Sequence, residues 1–235
     1  MRISNKIHSG TAIAAAVIMM ITTILSVGTN VLTLISSAML YEKTLLISSV
    51  SNLVISMITC ILMVVVLLRR KKDTVGGVLF LLTAVPIVVT GVFGNIFSTF
   101  AYFSASFLDS GMLIRLVAVS LIRLIANVAS AAFRVFVAME CFKPGNISGG
   151  KMKPFLVILP IAMIILTMIA TIVQNLYTVG DYGFGGYLLS ALLPAVFAEI
   201  FSAGYVVMGL AFSIPVYEQN PYEYAYTGQA NYNFN

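Results

Sequence analysis

Apolar residues run through this chain in long blocks rather than alternating with polar ones, and the blocks set its elements. Residues 11–38, 45–68, 75–101, 112–139, 154–177 and 187–214 each form one block. Each is longer than the roughly 20 residues that carry a helix across a bilayer, with length to spare for tilt. The pattern predicts an all-α, polytopic membrane protein with six transmembrane helices and short connections. Residues 1–10 form a short leading segment. Residues 215–235, rich in Tyr and Asn, are too polar and too few to pack a core and are expected to be a disordered tail. The first block exceeds the 7–15-residue apolar core of a secretory signal, so it is read as a helix that stays.

Against this background the polar interruptions stand out, because an ionisable group inside a bilayer is costly and by default marks a site. The fourth predicted helix carries Arg115, Arg123 and Arg134. Arg115 and Arg134 lie near its ends and can snorkel to water. Arg123 lies deeper, about 17 Å below the outer end at helical rise. Glu199, in the sixth helix, lies about 18 Å below its own outer end. The two opposite charges thus share a depth, and pairing is the expected way to avoid two isolated charges in hydrocarbon. Arg123, Asn127, Ser130 and Arg134 fall on one helical stripe. Ala126, Ala129, Ala131 and Ala132 permit close approach of neighbours, so the fourth helix is expected at the centre of the bundle.

The amides add a depth pattern. Asn30, Asn52, Asn95, Gln174 and Asn175 all fall in outer halves of their helices. Two expectations compete: interhelical hydrogen bonding, at about 0.6 kcal/mol each, or the lining of a wet vestibule open to the outside. Pro86, Pro160 and Pro194 interrupt three helices and allow bends.

Composition fits a membrane class: 60% of residues are apolar and 9% charged, against roughly 25% charged in soluble domains. Distribution of the charge matters more than the net +5. Arg2, Lys6, Arg69, Arg70, Lys71, Lys72, Lys143, Lys151 and Lys153 fall on one side of a six-helix arrangement, and Lys43 on the other. The excess of cations predicts the cytoplasmic face, giving a multi-pass cell-membrane protein with both termini inside. The basic clusters are short and membrane-adjacent, which suits lipid headgroups and not nucleic acid. Phe97, Phe100, Tyr102, Phe103 and Phe107 look like interface anchors.

Little catalytic chemistry is available. His8 is the one histidine, and Cys60 and Cys141 are far apart, so no zinc site is expected. The cysteines read as packing residues, with Cys141 a candidate for palmitoylation. No cofactor and no enzymatic activity are expected. The sequence points instead to an integral membrane protein that binds a small polar or anionic solute within the bundle, as a transporter or the membrane subunit of one. Its candidate residues are Arg123, Glu199, Asn127, Asn30, Asn52, Asn95 and Gln174. The expected partners are the lipid bilayer, the solute, and a protein that docks on the tail. The competing reading is a non-transporting accessory, assembly or immunity-type protein whose intramembrane charges only fix helix packing.

Overall fold

The structure, a computed structural model, describes residues 2–3, 5–39, 43–104, 110–142, 153–175 and 193–218. It is almost wholly helical: α1 (Ser9–Met39), α2 (Lys43–Arg69), α3 (Thr74–Pro86), a π-helical segment (Ile87–Phe93), α4 (Gly94–Ser104), α5 (Ser110–Phe142), α6 (Phe155–Asn175) and α7 (Leu193–Ser213). Among the described residues, Thr74–Ser104, Ser110–Phe142 and Phe155–Gln174 are long and apolar enough to cross a membrane. Ser9–Leu25, Leu53–Arg69 and Ser202–Ser213 form shorter apolar helical stretches. The tail expected at 215–235 lies beyond the described residues from 219 onward.

Local chemistry explains the boundaries. Arg70 adopts φ 53°, a left-handed conformation that ends a helix. Three residues on, the Asp73 carboxylate accepts from the Gly76 amide at 2.7 Å and from Arg69 at 2.5 Å, capping α3. Pro86 has no backbone N–H to continue the α ladder, and the π-segment begins directly after it. Phe97, Phe100 and Phe103 are strongly exposed along one side of α4. Asn95, Ser98 and Tyr102 follow the same helical spacing on its other side.

The helices close into a ring. α1 packs against α2, α2 against α3, and α3, the π-segment and α4 against α5. α5 packs against α6, α6 against α7, and α7 returns to α1. α5 also touches α7, so among the described residues it packs against more elements than any other helix, yet it keeps one side outward. Ile114, Leu121, Ile125 and Val128 are exposed on its outer side. The alanines allow close approach, but α3, α4 and α6 already cover the polar stripe.

The core sits towards one end. Ala12, Ala15 and Met19 of α1, Met63, Val66 and Leu67 of α2, Phe80, Phe133 and Val137, and Met208, Ala211 and Phe212 of α7 pack as one buried cluster. Phe80 meets Phe212 edge to face, with ring centroids 5.4 Å apart. At this end the Ile7 amide donates to the Arg70 carbonyl (2.9 Å), the Lys72 amide to Asn5 (2.7 Å) and the His8 amide to Ala211 (3.3 Å). Arg2–Ile3 pairs antiparallel with Tyr217–Glu218, so the N-terminal segment straps the α2–α3 turn to the end of α7.

Beneath the strap, the buried Glu140 carboxylate lies 3.5 Å from Lys72 Nζ and also contacts Lys153. Lys72 Nζ donates to the Phe212 carbonyl at 2.9 Å. Burial lowers the Lys72 ammonium from its ordinary range, because desolvation disfavours its charged form. The Glu140 carboxylate opposes that penalty.

α6 and α7 approach closely at Gly209. A Cβ on Gly209 would collide with the Leu156 carbonyl, whereas one on Gly94 meets nothing within 4 Å. Gly209→Ala should therefore push α6 off α7 at a cost of at least the ~1–3 kcal/mol typical of overpacking. Gly94→Ala should be neutral or stabilising. Thermal unfolding followed with a thiol-reactive dye, which reads exposure of the buried Cys60 and Cys141, checks the pair. Equal unfolding temperatures for the two variants would contradict this packing.

Candidate functional site

Helical spacing places five residues on one face of α5: Arg115, Leu116, Val119, Ser120 and Arg123. Across from them α4 presents Asn95, Ser98 and Tyr102, and α6 contributes Gln174 near its C-terminal end. With Met112, these residues line a cavity of about 230 Å³. Among the described residues, no Asp or Glu lines it. The cavity lies at the opposite end of the ring from the Lys72–Glu140 cluster.

A chain of hydrogen bonds fixes the wall. Thr99 Oγ1 donates to Ser120 Oγ at 2.9 Å, and Ser120 Oγ donates to the Asn95 carbonyl at 3.0 Å. Asn95 Nδ2 donates to the Gly91 carbonyl at 2.5 Å, and Ser98 Oγ to the Gly94 carbonyl at 2.8 Å. The π-segment brings its backbone close to α5: a Cβ on Gly91 would lie 2.7 Å from Asn127 Cγ. Glycine is needed there for contact, not for φ. Arg123 Nη2 donates to Gln174 Oε1 and so links α5 to α6 across the cavity.

Three of the sequence-derived candidates thus meet in one place: Asn95, Arg123 and Gln174. Asn127 sits beside them against Gly91, outside the lining. Asn30 and Asn52 fall within α1 and α2, but their side chains lie outside the described residues. Glu199 is buried on α7 and hydrogen-bonds Ser202. It lines neither cavity described here.

No direct ion pair joins Arg123 and Glu199 among the described residues. Equal depth along two helices is not proximity: α5 meets α7 at Arg134 and Tyr205, whereas Arg123 meets α6. Among the described residues, the ion pairs are Arg69–Asp73, Lys72–Glu140 and Lys153–Glu140. The neutral carboxamide of Gln174 takes the place assigned to Glu199.

Arg134 overturns a second expectation. It does not snorkel, being 3% exposed. Nη1 donates to Ser130 Oγ at 2.5 Å and to the Ser130 carbonyl at 3.2 Å, and Nη2 donates to the Tyr205 hydroxyl at 3.1 Å. The guanidinium carbon lies 5.1 Å from the Tyr205 ring centroid, within cation–π range. Ser130 sits one turn before Arg134 on the predicted stripe, which pointed to this contact. Tyr205 could be flagged only as a lone phenol inside an apolar helix. Glu140 fell just beyond the predicted helix end at 139 and was missed for that reason.

Tyr205 also borders a second cavity, of about 200 Å³, with Thr22, Thr23, Ser56, Thr59 and Cys60. Thr22 and Thr23 donate to carbonyls of their own helix, at 2.8 and 2.9 Å. Cys141 is 1% exposed, which removes it as a palmitoylation candidate in this state. No known protein family, curated protein or solved structure matches the chain detectably.

Two measurements follow from these contacts. Arg123→Gln and Glu199→Gln should have additive effects on stability, within ~0.5 kcal/mol, as for sites without shared partners. Rescue of one by the other in thermal unfolding would restore the discarded pair. Tyr205→Phe should destabilise by about 1.5–3 kcal/mol, because it strips a buried charged donor of its acceptor. An unchanged unfolding temperature would mean that Arg134 is satisfied elsewhere.

Proposed function

We propose that this chain is a six-span cell-membrane protein with both termini in the cytoplasm. It admits a small polar or anionic solute into the cavity beside Arg123, as a transporter or the membrane subunit of one. One observation carries the reading. Two arginines, two amides and two serines from α4, α5 and α6 converge on about 230 Å³ of open space, in segments long and apolar enough to cross a membrane. Convergent polar groups at membrane depth are tolerated where they are buried in protein or line a wet cavity. This group borders a cavity.

The orientation draws on the basic end. Arg69, Arg70, Lys71, Lys72 and Lys153 lie with the strap, and cationic connections favour the cytoplasm. The cavity, at the other end, then faces outward. Among the described residues the apolar cluster gathers beneath the strap, and the polar lining lies away from it. The solute would enter from outside and stop above the core.

The accessory reading keeps one specific support. The Arg123–Gln174 and Ser120–Asn95 bonds each join two helical elements, as packing glue would. The readings differ on whether water reaches the wall. In a background lacking Cys60 and Cys141, a cysteine at position 98 should react with a small impermeant thiol reagent added to intact cells. One at position 71 should react only after permeabilisation. No labelling at 98 would favour the accessory reading, and labelling at 71 from outside would reverse the topology.

A further inference from the structure

The cavity wall selects for one kind of occupant. Three of its neutral groups already donate to backbone: Ser98 to Gly94, Ser120 to Asn95, and Asn95 Nδ2 to Gly91. Arg123, whose partner across the cavity is the uncharged Gln174, presents a guanidinium at this wall. A guanidinium offers donors only, in a planar fork matched to carboxylate or phosphate oxygens. Among the described residues, no carboxylate lines the cavity. Met112, Leu116 and Val119 add an apolar wall on the α5 side, which suits a carbon body attached to the charged head. At ~30 Å³ per water, the space holds several waters, or one small organic molecule.

Gln174 gives the second half of the argument. Its side chain is exposed, yet its carboxamide oxygen accepts from Arg123 Nη2. It holds the guanidinium at the cavity wall with an uncharged acceptor that an anionic oxygen can outcompete, since charge-assisted bonds are about twice as strong as neutral ones.

Building on the solute-site reading above, we propose that the cavity binds a small organic oxyanion and that this oxyanion displaces Gln174 from Arg123. Gln174 is thus the neutral acceptor that the oxyanion replaces, and it sets the affinity of the site. The same chemistry is offered by a free phosphate ester or carboxylate and by the headgroup of an anionic lipid.

The test uses the full chain in phosphatidylcholine nanodiscs, with thermal unfolding as readout and glycerol 3-phosphate, glycerate and uncharged glycerol as probes. Either anion should raise the unfolding temperature, glycerol should not, and Arg123→Gln should abolish the response. Gln174→Glu places a tethered carboxylate on Arg123 and should weaken anion binding at least about tenfold. Gln174→Ala should keep binding or tighten it severalfold, and it stands in if the Glu variant folds poorly. In discs containing phosphatidylglycerol, a stabilisation that Gln174→Glu removes, together with a weakened response to glycerol 3-phosphate, assigns the lipid headgroup. A response to the free anion undiminished by phosphatidylglycerol assigns the soluble source.

Binding of glycerol but of neither anion, with cysteine 98 still labelled, would overturn the oxyanion proposal and leave the solute site standing. No response to either anion or to phosphatidylglycerol overturns it too. Equal anion binding by Gln174→Glu and the unchanged chain would overturn the displacement step. Loss of labelling at 98 would remove the solute site itself.

Discussion

The Glu140 carboxylate is the point on which the arrangement of helices depends. It sits at the end of α5, with Lys72 from the α2–α3 turn on one side and Lys153 from the start of α6 on the other. Lys72 in turn holds the last carbonyls of α7 through Phe212. One buried anion thereby gathers four helix ends. Removing one member of such a buried cluster leaves an uncompensated charge, at roughly 3–5 kcal/mol, whereas a surface pair is worth about 1 kcal/mol or less. The apolar cluster beneath it and the strap above it both rely on these ends meeting.

With one end fixed, the other carries the polar cavity. α4 turns its phenylalanines outward and its Asn95–Ser98–Tyr102 side towards α5. The π-segment after Pro86 lets Gly91 and Asn127 touch, which sets where Asn95 reaches α5. Such π-helical departures recur at functional sites. Here the departure positions one wall of the cavity. Arg134 lies between the cavity and the basic end. Ser130 and Tyr205 seal it in, and its bond to Tyr205 ties α5 directly to α7 below the cavity.

The helices were legible in the sequence because long apolar blocks leave few alternatives. Predicted segments such as 45–68 and 112–139 coincide with α2 and α5 to within a few residues. The grouping of Asn95, Arg123 and Gln174 was also legible, since shared depth and polarity are one-dimensional signals. Which helix neighbours which is not. Glu199 matched Arg123 in depth and charge, yet Arg123 meets α6, and no single-chain pattern encodes ring order. Arg134 looked able to reach water because it lay near a predicted end. α5 instead continues to Phe142 and encloses it. The acid that organises the basic end was missed for the same reason, being counted as a loop residue rather than a helical one.

Two arginines of one helix stand in contrast: Arg123 at the wall of a polar cavity, Arg134 closed within the protein. A hydrophilic, arginine-specific dicarbonyl applied to the folded chain, with adducts mapped by mass spectrometry, reads that contrast on the native residues. The account predicts adducts on Arg123 and none on Arg134 until the chain is unfolded. Modification of Arg134 before Arg123, or protection of both alike, would contradict it.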